Sequence, residues 1–156
     1  MKLHLISVGQ RLPGWAADAC SDYIKRFPRA QPIVLHEIKA EPRTGNRTAQ
    51  QIMESEAVRI EAAIPTGARR VMLDERGTDI TTVALAKRLE YWQGEAQDVA
   101  LVIGGADGIA PALKATAHEM IRLSSLTLPH AMARVLLAEQ LYRAITVLSG
   151  HPYHRE

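Results

Sequence analysis

At 156 residues, with 47% apolar and 23% charged residues, the chain has the size and composition of one globular domain, residues 1–156. A net charge of +2 names no partner, and the single cysteine, Cys20, excludes an intramolecular disulfide or a cysteine metal cluster within one chain. No run approaches the ~20 apolar residues of a membrane span, and the N-terminus lacks the apolar core of a signal peptide, so a cytoplasmic protein is expected.

Leu3, Leu5, Ile6 and Val8 predict a first strand ending at Gly9. Pro13-Gly14 punctuates, and apolar residues from Trp15 to Phe27 then recur at helical spacing until Pro28. Ile33 to Ile38 reads as the second strand, and Glu41 to Arg47 as a polar, mobile loop. Ile52, Met53, Ala57, Ile60 and Ile64 mark a second helix, closed by Pro65 and Gly67. A third strand runs from Arg70 to Leu73 and stops at Asp74. Thr81 or Thr82 caps a third helix with Val83, Ala86 and Leu89 on one face.

Val99 to Ile103 is continuously apolar, as in a strand buried on both faces of a parallel sheet, and it runs into Gly104-Gly105-Ala106-Asp107-Gly108. A short helix from Pro111 to Ala117 and a fifth strand from Ile121 to Leu126 follow. The last helix, Ala131 to Leu148, carries Val135, Ala138, Tyr142 and Ile145 on one stripe. This alternation predicts an α/β fold with a mainly parallel sheet and helices on both faces.

Ligands bind such sheets beyond the carboxyl ends of the strands. Leu73-Asp74, the double glycine, and the stretch from Ser124 to His130 all lie at such ends. Gly104 and Gly105 either form a tight turn or let a ligand approach the backbone. The dinucleotide, phosphate-loop and serine-elbow motifs are absent from the sequence, and His4, His36 and His118 lack a partner at metal-ligand spacing. Met53, Met72, Met120 and Met132 are expected in the core.

Fourteen of the nineteen cations are arginines, bunched at Lys25-Arg26 with Arg29, at Arg43 and Arg47, and at Arg69-Arg70. They are either solvated surface or contacts to nucleic acid. The end of the chain, His151-Pro152-Tyr153-His154-Arg155-Glu156, concentrates side chains able to stack on a base or grip a phosphate.

Several segments together carry a resemblance over the whole chain. They are Met1-Lys2-Leu3 with Val8-Gly9, Tyr23 and Arg26, Leu101 to Gly105, Leu123 to His130, Arg134-Val135, Glu139 to Ala144 and His151 to His154. In these the chain resembles the small SPOUT-class methyltransferases that methylate N3 of a pseudouridine in 23S ribosomal RNA. That resemblance implies an α/β fold with a C-terminal trefoil knot, a homodimer, no metal, and action on the helix 69 region of the ribosome. It assigns S-adenosyl-L-methionine to Leu73, Gly104, Gly105, Leu123, Ser124, Ser125, Leu126, Thr127 and Leu128. Candidates for the chemistry are His154, Tyr153, Arg143 and His130, without the proton acceptor being fixed among them. Arg143 suits charge stabilisation on the base oxygens, and a histidine suits proton transfer near neutral pH. A non-catalytic RNA-binding or ribosome-assembly protein is the rival reading, and another nucleotide-using α/β enzyme the third.

Overall fold

A computed structural model describes residues 1–9 and 11–154; the expectation for Arg155 falls outside them. The elements are β1 (Leu3–Gly9), α1 (Gly14–Lys25), β2 (Ile33–Lys39), α2 (Ala49–Ala63), β3 (Arg69–Asp79), α3 (Thr82–Glu95), β4 (Val99–Ile103), α4 (Pro111–Lys114), β5 (Glu119–Arg122) and α5 (His130–Ser149). All neighbouring strands pair in parallel, in the order β2-β1-β4-β3-β5. The α/β architecture expected from the alternation is thus present.

The sheet separates two cores. Leu3, Leu5, Val71 and Leu101 meet Leu85, Leu89 and Trp92 of α3 and Leu137 and Leu141 of α5 on one face. Ile6, Val8, Met72 and Val102 meet Ile60 of α2 and Leu113 of α4 on the other. The five residues of β4 are all buried, which explains their uninterrupted apolar run. Crossovers toward the β2 edge carry their helix on one face, and crossovers the other way carry theirs on the opposite face. A single crossover hand produces that pattern.

Polar side chains refine several boundaries. The Thr81 hydroxyl caps α3 by accepting from the Ala84 N–H at 3.1 Å, but Val83 faces solvent and the buried stripe is Leu85, Ala86, Leu89 and Trp92. The Trp92 indole sets that face by donating to Glu119 Oε2 at 2.7 Å. Glu119 also holds Arg69 and Arg88. Burial pushes its carboxyl pKa up, but these donors outweigh burial and hold it below the ordinary glutamate value. An acid so neutralised can start β5 two residues before the apolar pattern begins. The strand ends at Arg122, before the expected Leu126, because Ser124 Oγ accepts from the Leu126 N–H at 2.9 Å and turns the chain.

β3 is longer than expected and interrupted. Leu73 and Thr78 both pair with Ile121, so Asp74 to Gly77 leave the ladder as an excursion. Asp74 Oδ1 accepts the Arg76 N–H at 2.9 Å within it. α4 stops at Lys114, before the expected Ala117. His4 bonds His36 and Asp98, each at 3.0 Å, and His118 accepts from the Arg70 N–H. Cys20 and Met72 are buried, whereas Met132 is exposed. The Glu41 to Arg47 loop, expected to be mobile, is tied down. Glu41 binds Arg47 at 2.5 Å and Arg59 at 2.6 Å, and Arg43 pairs with Asp107.

After β5 the chain returns across the carboxyl edge to β1. There the ring of His130, first residue of α5, lies 2.7 Å from where a Cβ on Gly9 would stand. α5 then descends between α1 and α3. This return past the β3 excursion is the route a knotted C-terminal segment follows.

A Cβ on Gly77 would stand 2.6 Å from the Ile121 carbonyl carbon, within backbone that cannot yield. Gly77→Ala is expected to cost about 2 kcal/mol, lowering Tm by roughly 4–8 °C. An unchanged melting curve would mean that β5 does not close on the excursion.

Candidate active site

Neighbouring strands send their connections to opposite faces, β1 and β3 to one side and β2 and β4 to the other. The carboxyl edge therefore opens into a crevice. It forms a cleft of about 1680 Å³, larger than one small ligand needs. Val8, Leu12, Leu73, Ile103, Ile109 and Leu128 give it an apolar wall, and Met53 reaches it from α2.

Of the residues expected from the sequence, Leu73, Gly104, Gly105, Leu128 and His130 line this cleft together. Leu123, Ser124, Ser125, Leu126 and Thr127 do not line it, and Leu126 is 75% exposed. The connecting segment crosses the edge and turns only its last residues inward.

Of the two readings open for the double glycine, the turn is the one its immediate contacts display. A Cβ on Gly104 would stand 2.7 Å from the Gly108 carbonyl carbon, and one on Gly105 would stand 2.8 Å from Glu56 Oε1. They let the loop fold back on itself and on α2, rather than simply baring backbone to a ligand. Gly108, at φ +89°, closes that turn with its N–H donating to the Gly105 carbonyl at 2.9 Å.

Three buried polar atoms border the cleft without hydrogen-bond partners among the described residues: His130 Nε2, Glu56 Oε1 and Glu41 Oε2, the last of which is ion-paired with Arg59. Burial, with the nearby Arg134 guanidinium, pushes the His130 ring below the usual imidazole pKa, so it is neutral at pH 7. Glu56 is 4% exposed, and its other oxygen accepts the Glu41 N–H at 3.0 Å. Sequence reasoning passed over it, although an acid between Ile52 and Ile60 on a helix's apolar stripe is a visible anomaly. The Arg43–Asp107 pair joins the loop after β2 to the loop after β4, and Lys114 holds Asp74 at 3.2 Å.

The other sequence candidates form a separate cluster. The Tyr153 hydroxyl donates to Glu139 Oε1 at 3.0 Å and lies 3.5 Å from the Tyr23 hydroxyl. Arg143 binds Glu139 at 2.6 Å and stands 4.9 Å from the Tyr153 ring centroid. Arg26 lies over Tyr23, Tyr142 and Tyr153, and His154 Nδ1 is 3.2 Å from Thr146 Oγ1. Burial first, then Tyr23 and Glu139, raises the Tyr153 pKa well above the ordinary phenol value, so its hydroxyl stays protonated. At 1.5 Å per residue, Thr146 is about 24 Å along α5 from His130. Within one chain the final residues therefore do not stand over the cleft.

Among the described residues no cluster of three His, Cys, Asp or Glu side chains is placed to hold a metal ion. Among the same residues no helix is long and apolar enough to cross a membrane.

A family model described as "Predicted SPOUT methyltransferase" matches residues 1–154. The chain is similar to proteins named "Ribosomal RNA large subunit methyltransferase H". It is 61% identical to that of Methylibium petroleiphilum and 62% to that of Variovorax paradoxus, over 156 residues and 100% of each chain. That of Ralstonia pickettii is 59% identical over 155 residues, 99% of each chain. In fold it resembles a probable methylase family protein from Haemophilus influenzae, with TM-score 0.54, 14% identity, and coverage of 99% of this chain and 70% of that one. A probable methyltransferase from Bordetella pertussis gives TM-score 0.52 and 20% identity, covering 92% of this chain and 95% of that one. With a family match across nearly its whole length and full-length relatives near 60% identity, the chain belongs to the SPOUT methyltransferases.

Proposed function

We propose that this methyltransferase uses S-adenosyl-L-methionine to methylate N3 of a pseudouridine in the helix 69 region of 23S ribosomal RNA. It acts on ribosomes in the cytoplasm, as a homodimer whose chains each form one domain over residues 1–156. The observation carrying this reading is the convergence of Leu73, Gly104, Gly105, Leu128 and His130 on one cleft in a chain of this family. The naming of its full-length relatives supports ribosomal RNA as the substrate.

The residues present fit the cofactor. Apolar side chains at the ends of β1, β3 and β4 suit an adenosyl group, and loop backbone supplies polar partners at its edge. The unpartnered Glu56 carboxylate oxygen suits a ligand bearing positive charge. Leu73, Gly104, Gly105 and the Leu123 to Leu128 segment would hold it. When bound, S-adenosylmethionine supplies an electrophilic methyl group on its sulfonium.

The chain's own groups must position the base and manage the N3 proton. His130, neutral and unpartnered at Nε2, can accept a proton at the cleft. Tyr153 stays protonated and so serves as a hydrogen-bond donor and stacking surface, not as a base. Arg143, with Glu139 fixing its guanidinium, suits charge building on the base carbonyls. His154, held by Thr146 at the end of α5, is the tail's remaining candidate.

Because the tail cluster and the cleft are far apart in one chain, the reading requires two chains. A two-fold dimer would set Arg143, Tyr153 and His154 of one protomer beside the cleft of its partner. This arrangement also accounts for a cleft of about 1680 Å³, larger than one small ligand needs.

Mass spectrometry of 23S ribosomal RNA from a strain lacking the protein should show one methyl group missing from a pseudouridine, restored by adding the purified enzyme. An unchanged methylation pattern would favour the RNA-binding reading without catalysis. Gly104→Val should weaken S-adenosylmethionine binding by about 5- to 150-fold, since a clash with the Gly108 backbone costs about 1–3 kcal/mol; calorimetry returning wild-type affinity would refute the loop's role. Chains lacking residues 151–156, mixed with Gly104→Val chains after unfolding and refolding together, should regain about a quarter of wild-type activity, because statistical dimers then hold one complete site in every second dimer. If the mixture stays inactive while homogeneous wild type refolds to full activity, the tail does not act across the dimer.

A further inference from the structure

The arginine clusters conspicuous in the sequence are mostly spent inside the fold. Ten of the fourteen arginines form ion pairs, among them Arg26 with Asp22, Arg43 with Asp107, Arg47 with Glu41, Arg69 with Glu119 and Arg70 with Glu61. A guanidinium held by a carboxylate has part of its fork occupied and its long-range charge largely offset, though donors remain for a group brought into contact. Such residues add little to the field met by an incoming polyanion.

Among the described residues, the arginines without an ion-pair partner are Arg11, Arg29 and Arg76. Two of these, Arg11 and Arg76, lie at the cleft, as does Lys39, whose side chain is also unpaired. All three cleft cations are exposed. Arg11 follows β1, Lys39 ends β2, and Arg76 sits in the excursion of β3. Since the order is β2-β1-β4-β3, they span three strand spacings of about 4.8 Å each, an arc of roughly 14 Å along the rim.

The acids at the same cleft are largely matched. Glu41 holds Arg47 and Arg59, Asp74 holds Lys114, Asp107 holds Arg43, Glu37 lies 3.7 Å from Arg134, and Glu56 is buried beneath the rim. Glu75 is the exposed acid left beside Arg76. The rim thus keeps a positive excess where a nucleotide would enter.

We propose that Arg11, Lys39 and Arg76 form a phosphate-contacting arc that seats the backbone of the substrate RNA beside the target base, whereas the Arg69-Arg70 cluster serves the fold. This rests on the reading of the chain as an RNA methyltransferase and names the surface by which it holds its substrate. Phosphate contacts of this kind fix register and orientation without reading sequence. The β3 excursion, closed on β5 at Gly77, carries Arg76 outward beside the cleft.

The test compares wild type with Arg11→Ala/Lys39→Ala/Arg76→Ala and with Arg29→Ala, an unpaired arginine that does not line the cleft. Binding of labelled enzyme to salt-washed ribosomes lacking the modification is followed across a range of KCl concentrations. The triple variant should bind at least tenfold more weakly, and its slope of log affinity against log salt should be shallower by about 2, as expected when three phosphate contacts are lost. Arg29→Ala should keep the wild-type slope, and S-adenosylmethionine affinity by calorimetry should match wild type in both variants. A triple variant with wild-type slope and affinity overturns the arc, whether or not the enzyme methylates. A shallower slope in an enzyme that transfers no methyl group would instead overturn the catalytic reading and leave the arc standing.

Discussion

The ring of His130 occupies the space that a side chain on Gly9 would need, and this close approach joins the start of the last helix to the end of the first strand. The chain leaves β5 at one edge of the sheet and must cross the ends of β3 and β4 to arrive there. Its crossing brings Leu128 and His130 over a crevice that the diverging connections have already opened. A side chain at position 9 would force that ring to swing out of its place beside β1. The cleft is therefore a consequence of where the last helix is anchored.

Charge pairing follows the same division between scaffold and site. Glu119 gathers Arg69, Arg88 and the Trp92 indole at the β3–β5 side, and so fixes the edge from which the crossing begins. Glu41, Arg43 and Asp107 tie the connection after β2 to the connection after β4, turning a polar loop into one wall of the cleft. Glu56 lies beneath both, hydrogen-bonded to the first and packed against Gly105 of the second. What is left at the rim after this pairing is a small surplus of cations.

Much of this was legible in the residues. The strands β1 and β4 were visible because their apolar runs reflect burial, β2 from its apolar run although none of its residues is buried, and the cleft could be located because parallel sheets bind ligands at one edge. The boundaries of β3 and β5 were hidden for a specific reason. Polar residues such as Glu119 and Thr78 enter the ladder only because partners distant in sequence neutralise or oppose them. Gly104 and Gly105 were open to a tight turn or to ligand access, and they answer first to the loop's own carbonyl and to Glu56, the latter a contact no local pattern reveals. The crossing and its knot came from family likeness, since general rules of chain topology argue against threading. The separation of the tail from the cleft was invisible as well, because it depends on the length and direction of α5.

The central claim is that the cleft between Leu73, the Gly104–Gly105 turn and Leu128 receives the methyl donor, with a second chain completing it. A crystal structure of the protein with S-adenosylmethionine measures this most directly. The account predicts the nucleoside against those residues and Tyr153 of a partner subunit at the cleft mouth. A cofactor seated at any other edge of the sheet, or a complete site formed by one chain with its own tail remote, would contradict it.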